Sequence, residues 1–283
     1  MRKAIPVFLF ALVMAAGIPA AAQGHFEFGF HYGSWSLNLL KPTFESLADS
    51  FAEQIKNDML DTIREDNPAR TIEERGFRNS VDFDSSGNNF GFEVRWYPAG
   101  QKGSFSIGLS MEKTKMKFGM SRVHTELDLM DMGTGESIGF LADSTASVES
   151  HPLAFMLSFR WDILPSKRIN PYFTFGLGMA GVSAWDETRL SYDFQGILSI
   201  PGEPPQSITE SSSKTLLQIK QEDAQRKKDE GSTEEPFDYP INFFPFLQLH
   251  FGIKGRITNF LHVLADFGIY DGFVLRAGLA VRV

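Results

Sequence analysis

LQLHFGIKGRITNFLHVLADFGIYDGFVLRAGLAVRV, residues 247–283, alternates apolar and polar side chains almost without a break. A period of two is the pattern of β-strands, whose successive side chains point to opposite faces. Leu264 and Val274 are the main exceptions. One face is a wall of Phe, Leu, Val, Ile and Ala, whereas the other carries charged residues and two histidines. An apolar exterior around a polar interior is typical of a transmembrane β-barrel.

The same alternation recurs in five segments closer to the N-terminus. They lie at about residues 25–37, 89–96, 105–112, 153–162 and 173–179. Together with the three strands of residues 247–283 they make eight, an even number and the smallest that closes a membrane barrel. The sequence therefore predicts an all-β fold, an eight-stranded antiparallel up-and-down transmembrane β-barrel with a helical insertion in the first long loop.

The connections between these strands alternate in length. Residues 98–104, 164–170 and 258–260 form short turns, whereas residues 38–79, 121–148 and 186–241 form long loops. A tight hairpin is predicted at Tyr270-Asp271-Gly272, where Gly272 can take the left-handed conformation. Short turns on the periplasmic side and long loops outside are the arrangement of outer-membrane barrels.

The N-terminus predicts export. Arg2 and Lys3 precede an apolar run over residues 5–18, and Ala20-Ala21-Ala22 supplies the small residues of a signal-peptidase site. We therefore expect a signal peptide at residues 1–22, cleaved after about Ala22, and a barrel over residues 23–283. No other stretch approaches eighteen apolar residues, so the membrane is expected to be crossed by strands.

Charge and composition exclude several classes of protein. The chain carries 27 Lys+Arg and 35 Asp+Glu. Removal of Arg2 and Lys3 leaves 27 − 2 = 25 bases, a net charge of 25 − 35 = −10, which argues against a nucleic-acid partner. The chain has no cysteine, so neither disulfides nor thiolate metal sites are expected.

Two strand motifs rich in Phe and Gly carry a resemblance to a known family. They are Phe90-Gly91-Phe92-Glu93-Val94-Arg95-Trp96-Tyr97 and Pro171-Tyr172-Phe173-Thr174-Phe175-Gly176-Leu177-Gly178. With the eight-strand pattern they make residues 23–283 resemble the small outer-membrane barrels of the OmpA transmembrane domain, OmpX and OmpW-like group. The resemblance implies an outer-membrane location, contact with outer-membrane lipid including lipopolysaccharide, insertion by the barrel-assembly machinery, and a monomer.

All four tryptophans fall near predicted strand ends. Interfacial aromatic belts place amphipathic rings at these heights. The sequence therefore predicts a belt formed by Trp35, Trp96, Trp161 and Trp185.

The inward positions collect acids and bases in near balance. An eight-stranded interior is only wide enough to be filled by side chains, so these groups are expected to pair with one another. In the predicted hairpin register Asp266 lies across from Arg276, and we expect the two to be in contact. A salt-bridged plug is favoured over an ion or solute path. The predicted network consists of Glu27, Glu93, Arg95, Glu112, Arg160, Asp162, Lys254, Arg256, Asp266, Arg276 and Arg282.

No motif in the sequence indicates catalysis or a cofactor. His31, His250 and His262 project inward, but they lack the spacing of a metal site. Neither Ser150-His151-Pro152 nor Leu249-His250-Phe251 matches the motif expected of a lipid A deacylase. We therefore predict no catalytic residues, no metal and no cofactor, while a lipid-modifying activity remains an open alternative.

The first long loop carries an amphipathic pattern over residues 43–66. Its period of three to four predicts a helix of about six turns, with Thr43 as N-cap and Asn67-Pro68 as its end. Two interpretations remain open, a lid packed on the barrel mouth or a neighbouring loop, which is favoured, and a docking surface for a partner or a membrane interface. The apolar stripe consists of Phe44, Leu47, Phe51, Ile55, Met59 and Ile63.

The third long loop has a different composition. Residues 201–240 are rich in Ser, Glu, Lys, Gln and Pro, which predicts a largely mobile and solvated segment. Leu216, Leu217 and Ile219 are able to seed a short helix there. The function expected from these features is a structural or surface-interaction role carried by extracellular loops. A narrow channel for small or apolar solutes is the alternative, and a lipid-modifying enzyme the second.

Overall fold

The computed structural model describes residues 24–66, 71–100, 103–202, 204–232, 234–239 and 243–283. The predicted signal peptide, residues 1–22, lies outside the described residues. The strands of the described ranges are β1 (His25–Ser36), β2 (Ile72–Tyr97), β3 (Phe105–Asp131), β4 (Glu136–Ser150), β5 (Leu153–Asp162), β6 (Ile169–Gly181), β7 (Arg189–Ser199), β8 (Gln206–Thr215), β9 (Phe243–Arg256), β10 (Leu261–Tyr270) and β11 (Phe273–Arg282). The helices are α1 (Lys41–Asp66), α2 (Ser183–Asp186) and α3 (Leu216–Asp229), with a 3₁₀ turn at Asn38–Leu40 before α1.

Within the described ranges, eight strands close a ring in the order β1, β2, β3, β5, β6, β9, β10, β11. Each neighbouring pair is antiparallel, and β11 returns to β1. These are the eight strands that the alternation predicts, so the predicted β-barrel is confirmed.

The register of the last hairpin is also confirmed. Ile269 pairs with Phe273, and Asp266 pairs with Arg276. The turn differs in one detail, since Asp271 takes the left-handed conformation, with φ of +43°, and Gly272 follows with φ of +152°. Asp tolerates the left-handed region better than most residues, and Asp271 also accepts a hydrogen bond from the Leu247 backbone N–H at 2.9 Å.

The outer wall of the ring is apolar, as the strand pattern requires. Leu109, Leu177, Phe267 and Leu275 expose 57%, 56%, 61% and 65% of their surface. Aromatic rings follow one another across the wall. Trp161 lies 6.0 Å from Phe173 between ring centroids, and Phe173 lies 5.0 Å from Phe251. The wall therefore offers a continuous apolar surface around the barrel.

The long connections contain far more structure than the sequence predicts. β2 and β3 run for 26 and 27 residues, well past the ring, so residues 72–79 and most of residues 121–148 form strands. β3 turns back into β4 at residues 132–135, and the sheet continues through β7 to β8. We call this sheet the platform: residues 72–86 of β2, residues 116–131 of β3, and β4, β7 and β8.

The prediction of a largely mobile segment at residues 201–240 is wrong for Gln206–Asp229. Ten residues pair with β7 as β8, and α3 follows directly. A capping box explains where α3 starts. The Thr215 side chain accepts a hydrogen bond from the Gln218 backbone N–H, and the Gln218 side chain accepts one from the Thr215 backbone N–H. The suggestion that Leu216, Leu217 and Ile219 seed a helix is confirmed.

The predicted amphipathic helix exists, but it starts earlier, and it packs on strands formed by the long connections and not on the barrel mouth. α1 begins at Lys41, so Thr43 lies inside the helix and is not its N-cap. The helix lies against β2 of the platform, where Phe44 stacks on Phe83 at 4.5 Å and Lys56 pairs with Glu74 at 3.1 Å. Among the described residues, the structure contains no helix long and apolar enough to cross a membrane.

The face of α1 that packs on the platform coincides only in part with the predicted apolar stripe. Leu47 and Phe51 remain 52% and 63% exposed, whereas Leu60, outside the predicted stripe, is 4% exposed beside Ile72 and Leu127. The contact row follows positions four apart from Phe44 to Leu60, which a helix places along one line. The side chains of Ile55, Met59 and Ile63 lie outside the described part of the structure.

Candidate functional site

The interior of the ring is filled by charged side chains. Glu27, Glu93, Glu112, Asp162 and Asp266 supply five negative charges, and Arg95, Arg160, Lys254, Arg276 and Arg282 supply five positive charges. Each of these ten residues is at most 8% exposed. They point inward because each occupies the polar position of an alternating strand, so a one-residue shift of register would exchange them with the apolar side chains of the outer wall. The predicted charge network is therefore present for these ten residues.

Glu27 is the centre of the layer nearest the short turns. Arg282 donates to it from Nη2 at 2.8 Å, and Arg160 and Lys254 donate at 3.3 and 3.4 Å. Lys254 also pairs with Asp162 at 2.9 Å and donates to the Tyr97 hydroxyl at 2.8 Å. One carboxylate thus joins three cations from β5, β9 and β11 across the lumen.

The middle layer centres on Glu93. Arg95 and Arg160 both donate to its carboxylate, with Arg95 Nε at 2.9 Å and Arg160 Nη2 at 3.2 Å. Arg95 also donates to the Ser158 hydroxyl at 2.7 Å. The Arg160 guanidinium lies 4.4 Å from the centroid of the Tyr172 ring. Hydrogen bonds surround the Arg95 guanidinium, and hydrogen bonds and a ring face surround that of Arg160, which is what burial of a charge requires.

The upper layer contains the predicted Asp266–Arg276 pair. Arg276 Nε donates to Asp266 at 2.8 Å, which confirms the contact, and the Tyr172 hydroxyl donates to the other carboxylate oxygen at 2.7 Å. Glu112 meets His31 Nε2 at 2.7 Å and accepts from Ser110 at 2.9 Å. Each buried carboxylate in this layer therefore has a partner on another strand or a hydroxyl beside it.

Above the charged layers the lumen becomes apolar. Trp35, Phe246 and Tyr270 lie at the long-loop end and are at most 2% exposed. They pack with smaller side chains of the neighbouring strands and with Ala184 of α2. We call this cluster the apolar cap: Trp35, Met116, Ala154, Met156, Ala180, Ala184, Phe246, Tyr270 and Val274. The lumen is thus closed by two successive layers of different chemistry.

Trp35 and Arg256 do not lie where the sequence predicts. Trp35 belongs to the apolar cap at 1% exposure, and its indole N–H donates to the Tyr270 carbonyl at 3.1 Å. Trp35 lies an even number of residues from Glu27 and His31 on β1, so its side chain points to the same inward face as theirs. The two-residue period of the strand therefore decides its position, although it lies at a strand end. Arg256 is the last residue of β9 and is exposed at the short-turn mouth.

The other three tryptophans have different environments. Trp161 faces outward and is 43% exposed, while Trp96 on β2 is half-buried on the same side of the wall. Trp185 sits in α2 at the long-loop end, where it donates to the Phe243 carbonyl at 3.1 Å and stacks on Tyr239. A belt at the membrane interface remains a prediction for these three residues.

Sequence reasoning missed two sets of interior residues. Tyr97 and Tyr172 complete the charge network. Each lies two residues from an inward-facing side chain, Arg95 and Thr174 respectively, so the strand period by itself predicts that both tyrosines point inward. The two exceptions to the alternation, Leu264 and Val274, point inward at 5% and 4% exposure. Val274 belongs to the apolar cap, and Leu264 packs with Tyr172 and Ala280. Exceptions to the strand pattern thus mark places where the lumen is apolar.

One titratable cluster lies on the platform, away from the barrel. His124 Nδ1 meets Asp143 at 2.8 Å, and Nε2 meets Glu126 at 3.2 Å. The hydrogen bonds to Asp143 and then Glu126 raise the pKa of His124. With both ring nitrogens facing carboxylates, the charged form of the imidazole is favoured relative to that of a free histidine. In the part of the chain that the structure describes, no group of three or more His, Cys, Asp or Glu is arranged to hold a metal ion.

Comparison with known proteins adds little to this geometry. No protein-family profile matches the chain, and no curated protein matches its sequence. Among solved structures, it is similar to the translocator domain of the autotransporter NalP from Neisseria meningitidis, at 10% identity over 99% of this chain and 96% of that one, with a TM-score of 0.25. It is also similar to the transport unit of the autotransporter AIDA-I from Escherichia coli, at 7% identity over 97% and 96%, with a TM-score of 0.17. Neither similarity bears on function.

Proposed function

We propose that the chain is an outer-membrane β-barrel with a closed lumen, whose structural or surface-interaction role is carried by the platform outside the cell. The closed lumen supports this proposal most strongly. Ten interior charges are nearly inaccessible to water, and they are balanced and paired. A conducting path would have to hydrate these groups. The alternative of a narrow channel is therefore disfavoured.

The outer wall supports the membrane location. Its exposed Phe, Leu, Val and Ile side chains surround the ring, whereas the charges are inside. In water such a surface would be costly, since apolar area contributes roughly 25 cal/mol per Å² when it is removed from solvent. Hydrocarbon is the solvent that suits it, and the proposed contacts with lipid, including lipopolysaccharide, follow from the wall. Insertion by the barrel-assembly machinery and a monomeric state belong to the same proposal.

The platform supports a role outside the barrel. About 15 residues of β2 lie beyond its pairing with β1, a length of about 50 Å along the strand. α1 covers the free edge of β2, where Asn79 Nδ2 donates to Asp49 at 2.8 Å and the Phe83 N–H donates to Glu45 at 3.0 Å. β8 forms the other edge of the sheet. A paired sheet of this size presents a fixed surface to a partner, which a flexible loop does not.

We propose no enzymatic activity for the chain. The His124–Asp143 pair has the geometry of an acid–base group, but within the described residues no hydrogen bond joins His124 to a nucleophilic hydroxyl. Mass spectrometry of lipid A from cells with and without the protein tests this part. Lipid A with altered acyl chains only when the protein is present would contradict it.

Accessibility of single cysteines tests the location and the orientation together. Because the chain has no cysteine, Ser207→Cys on β8 and Asn259→Cys in a short turn each introduce one thiol. In intact cells a membrane-impermeant maleimide should label Ser207→Cys and should label Asn259→Cys only after the outer membrane is permeabilised. Equal labelling of both variants in intact cells, or recovery of the protein in the soluble fraction, would overturn the proposal.

A further inference from the structure

The short-turn mouth of the barrel holds a small basic pocket that the proposed function does not use. It has a volume of about 40 Å³ and lies between the β5–β6 turn, the β9–β10 turn and the floor of the lumen. Lys167, Arg168 and Arg256 line its rim, and Lys254 and Arg282 line its base. The Arg256 backbone N–H donates to the Arg168 carbonyl at 2.8 Å, so these two arginines are held side by side.

The charge of the pocket is not neutralised from within. Glu27 and Asp162 pair with Lys254 and Arg282 at its base. In the described part of the chain, no carboxylate forms an ion pair with Lys167, Arg168 or Arg256 at the rim. The whole chain has a formal net charge of −8, so this excess of positive charge runs against the overall composition. Such a concentration attracts an anion from solution.

Two buried polar atoms at the pocket have no hydrogen-bond partner in the structure. Asn170 is 2% exposed, and its Oδ1 accepts the Leu164 backbone N–H at 2.8 Å, which fixes the amide and leaves Nδ2 unpartnered. His262 is 5% exposed, and its Nδ1 is unpartnered. Both residues line the pocket. Buried donors almost always have an acceptor, so Asn170 Nδ2, and His262 Nδ1 in the tautomer that carries its proton there, point to a ligand that supplies one.

We infer that this pocket binds a phosphate group. Arginine forks and an amide N–H are the donors that bind phosphate oxygens, and they converge here from β6, β9 and the turn between β5 and β6. A tetrahedral dianion matches several cations and donors placed around it better than a planar carboxylate with one charge does. The small volume holds the phosphate alone, so any organic part projects out of the mouth. The phosphate belongs either to a soluble phosphate monoester or to a phospholipid whose headgroup is a phosphate monoester.

Binding of inorganic phosphate to the full-length folded barrel in non-ionic detergent micelles tests the inference. Isothermal titration calorimetry should give saturable binding of inorganic phosphate, and acetate at equal ionic strength should bind at least tenfold more weakly. Arg256→Gln and Asn170→Asp should each weaken phosphate binding at least tenfold. Asn170→Asp keeps the acceptor for Leu164 while it removes the donor. Arg78→Gln on the platform is the matched control and should bind as the unaltered chain does.

A second experiment distinguishes a lipid headgroup from a soluble phosphate ester as the source of the phosphate. In nanodiscs of phosphatidylcholine alone, the soluble probe should bind as it does in micelles. If a headgroup is the natural occupant, added phosphatidic acid, whose phosphomonoester can carry two charges as inorganic phosphate does, should compete with inorganic phosphate in the unaltered chain. Gel mobility with and without boiling shows that each variant is folded, and Lys167→Gln, at the exposed rim, replaces any variant that is not.

The inference is overturned if phosphate does not bind saturably, if acetate binds equally well, or if Arg256→Gln and Asn170→Asp bind as the control does. These outcomes are independent of the proposed function, because binding in micelles requires the folded barrel but neither its orientation nor the platform.

Discussion

At the scale of single residues, the interior depends on ion pairs between side chains of different strands. Asp266 and Arg276 lie ten positions apart and meet at 2.8 Å because the β10–β11 register places them opposite each other. Removing one partner of a buried pair leaves an uncompensated charge, which costs more than the pair itself contributes. The interior is therefore intolerant of single charge deletions.

Arg276→Ala should lower the free energy of unfolding by about 3–5 kcal/mol, because Asp266 is then left buried without its cation. Urea unfolding of the protein in lipid bilayers measures this. Arg78→Ala is the control, since the Arg78 side chain is 85% exposed beside Glu126 and should change stability little. An Arg276→Ala protein as resistant to urea as the unaltered chain would contradict the pairing.

The tryptophans give a second test at this scale. Trp161 faces the proposed lipid at 43% exposure, whereas Trp35 lies inside the lumen at 1%. In variants that keep only one of these two tryptophans, with the others replaced by Phe, brominated lipids should quench the fluorescence of Trp161 strongly and that of Trp35 weakly. Equal quenching would place Trp35 in the membrane belt and contradict its position in the apolar cap.

At the scale of elements, α1 illustrates which part of a helix the sequence determines. The period of three to four predicts that a helix forms, and it does. The pattern does not say which edge of a wide apolar stripe packs. That is decided by β2, whose Phe83 and Ile72 meet Phe44 and Leu60. α1 therefore covers the platform edge, and the lumen below is closed by the apolar cap instead of a helical lid.

The β3–β4 hairpin should depend on pH through His124. Its hydrogen bonds to Asp143 and Glu126 raise the pKa of the folded state above the unfolded value. The stabilising contribution is therefore full at pH below the unfolded pKa and is lost as pH rises through the folded pKa. The charged groups around it are Asp143 on β4, Glu126 and Arg122 on β3, and Arg78 on β2, which pairs with Glu126.

NMR titration of the His124 ring should give a pKa above that of a free histidine. Hydrogen-exchange protection of the hairpin amides, corrected for intrinsic rates, should fall in the unaltered chain as pH rises through that pKa. In His124→Gln it should be nearly independent of pH over the same range. A titration at or below the ordinary value, or the same pH dependence in both proteins, would show that the carboxylates do not hold the charged imidazole.

At the scale of the whole molecule, two successive layers of side chains fill the lumen. The charged layers fill the barrel towards the short turns, and the apolar cap fills it towards the platform. An ion that enters from the platform side would meet the apolar layer before the paired charges, so we expect each layer by itself to block a path. Loss of a single side chain from the cap leaves the charged layers intact.

Planar bilayers that contain the purified protein should therefore show no sustained discrete openings. Trp35→Ala should remain closed as well, because the Glu27, Glu93 and Asp266 pairs below it are unchanged. Single-channel recording measures both, and a porin of known conductance in the same bilayer is the positive control. Discrete, lasting openings of the unaltered chain would contradict a closed lumen and favour the channel.

The sequence by itself determined the eight ring strands, their faces and the register of the last hairpin. Successive side chains of a strand point to opposite faces, and the two faces lie in different environments. The polarity of the side chains therefore alternates along the chain, and neighbouring residues alone show this alternation. Only the tertiary structure decided the course of the platform, the partners of each interior charge, the place of Trp35 and the basic pocket. These depend on strands far apart in the chain, such as β3 with β4 and β7, and on residues from Lys167 to Arg282 that meet at one mouth. The long-range pairing that brings them together leaves no periodic signal in the sequence.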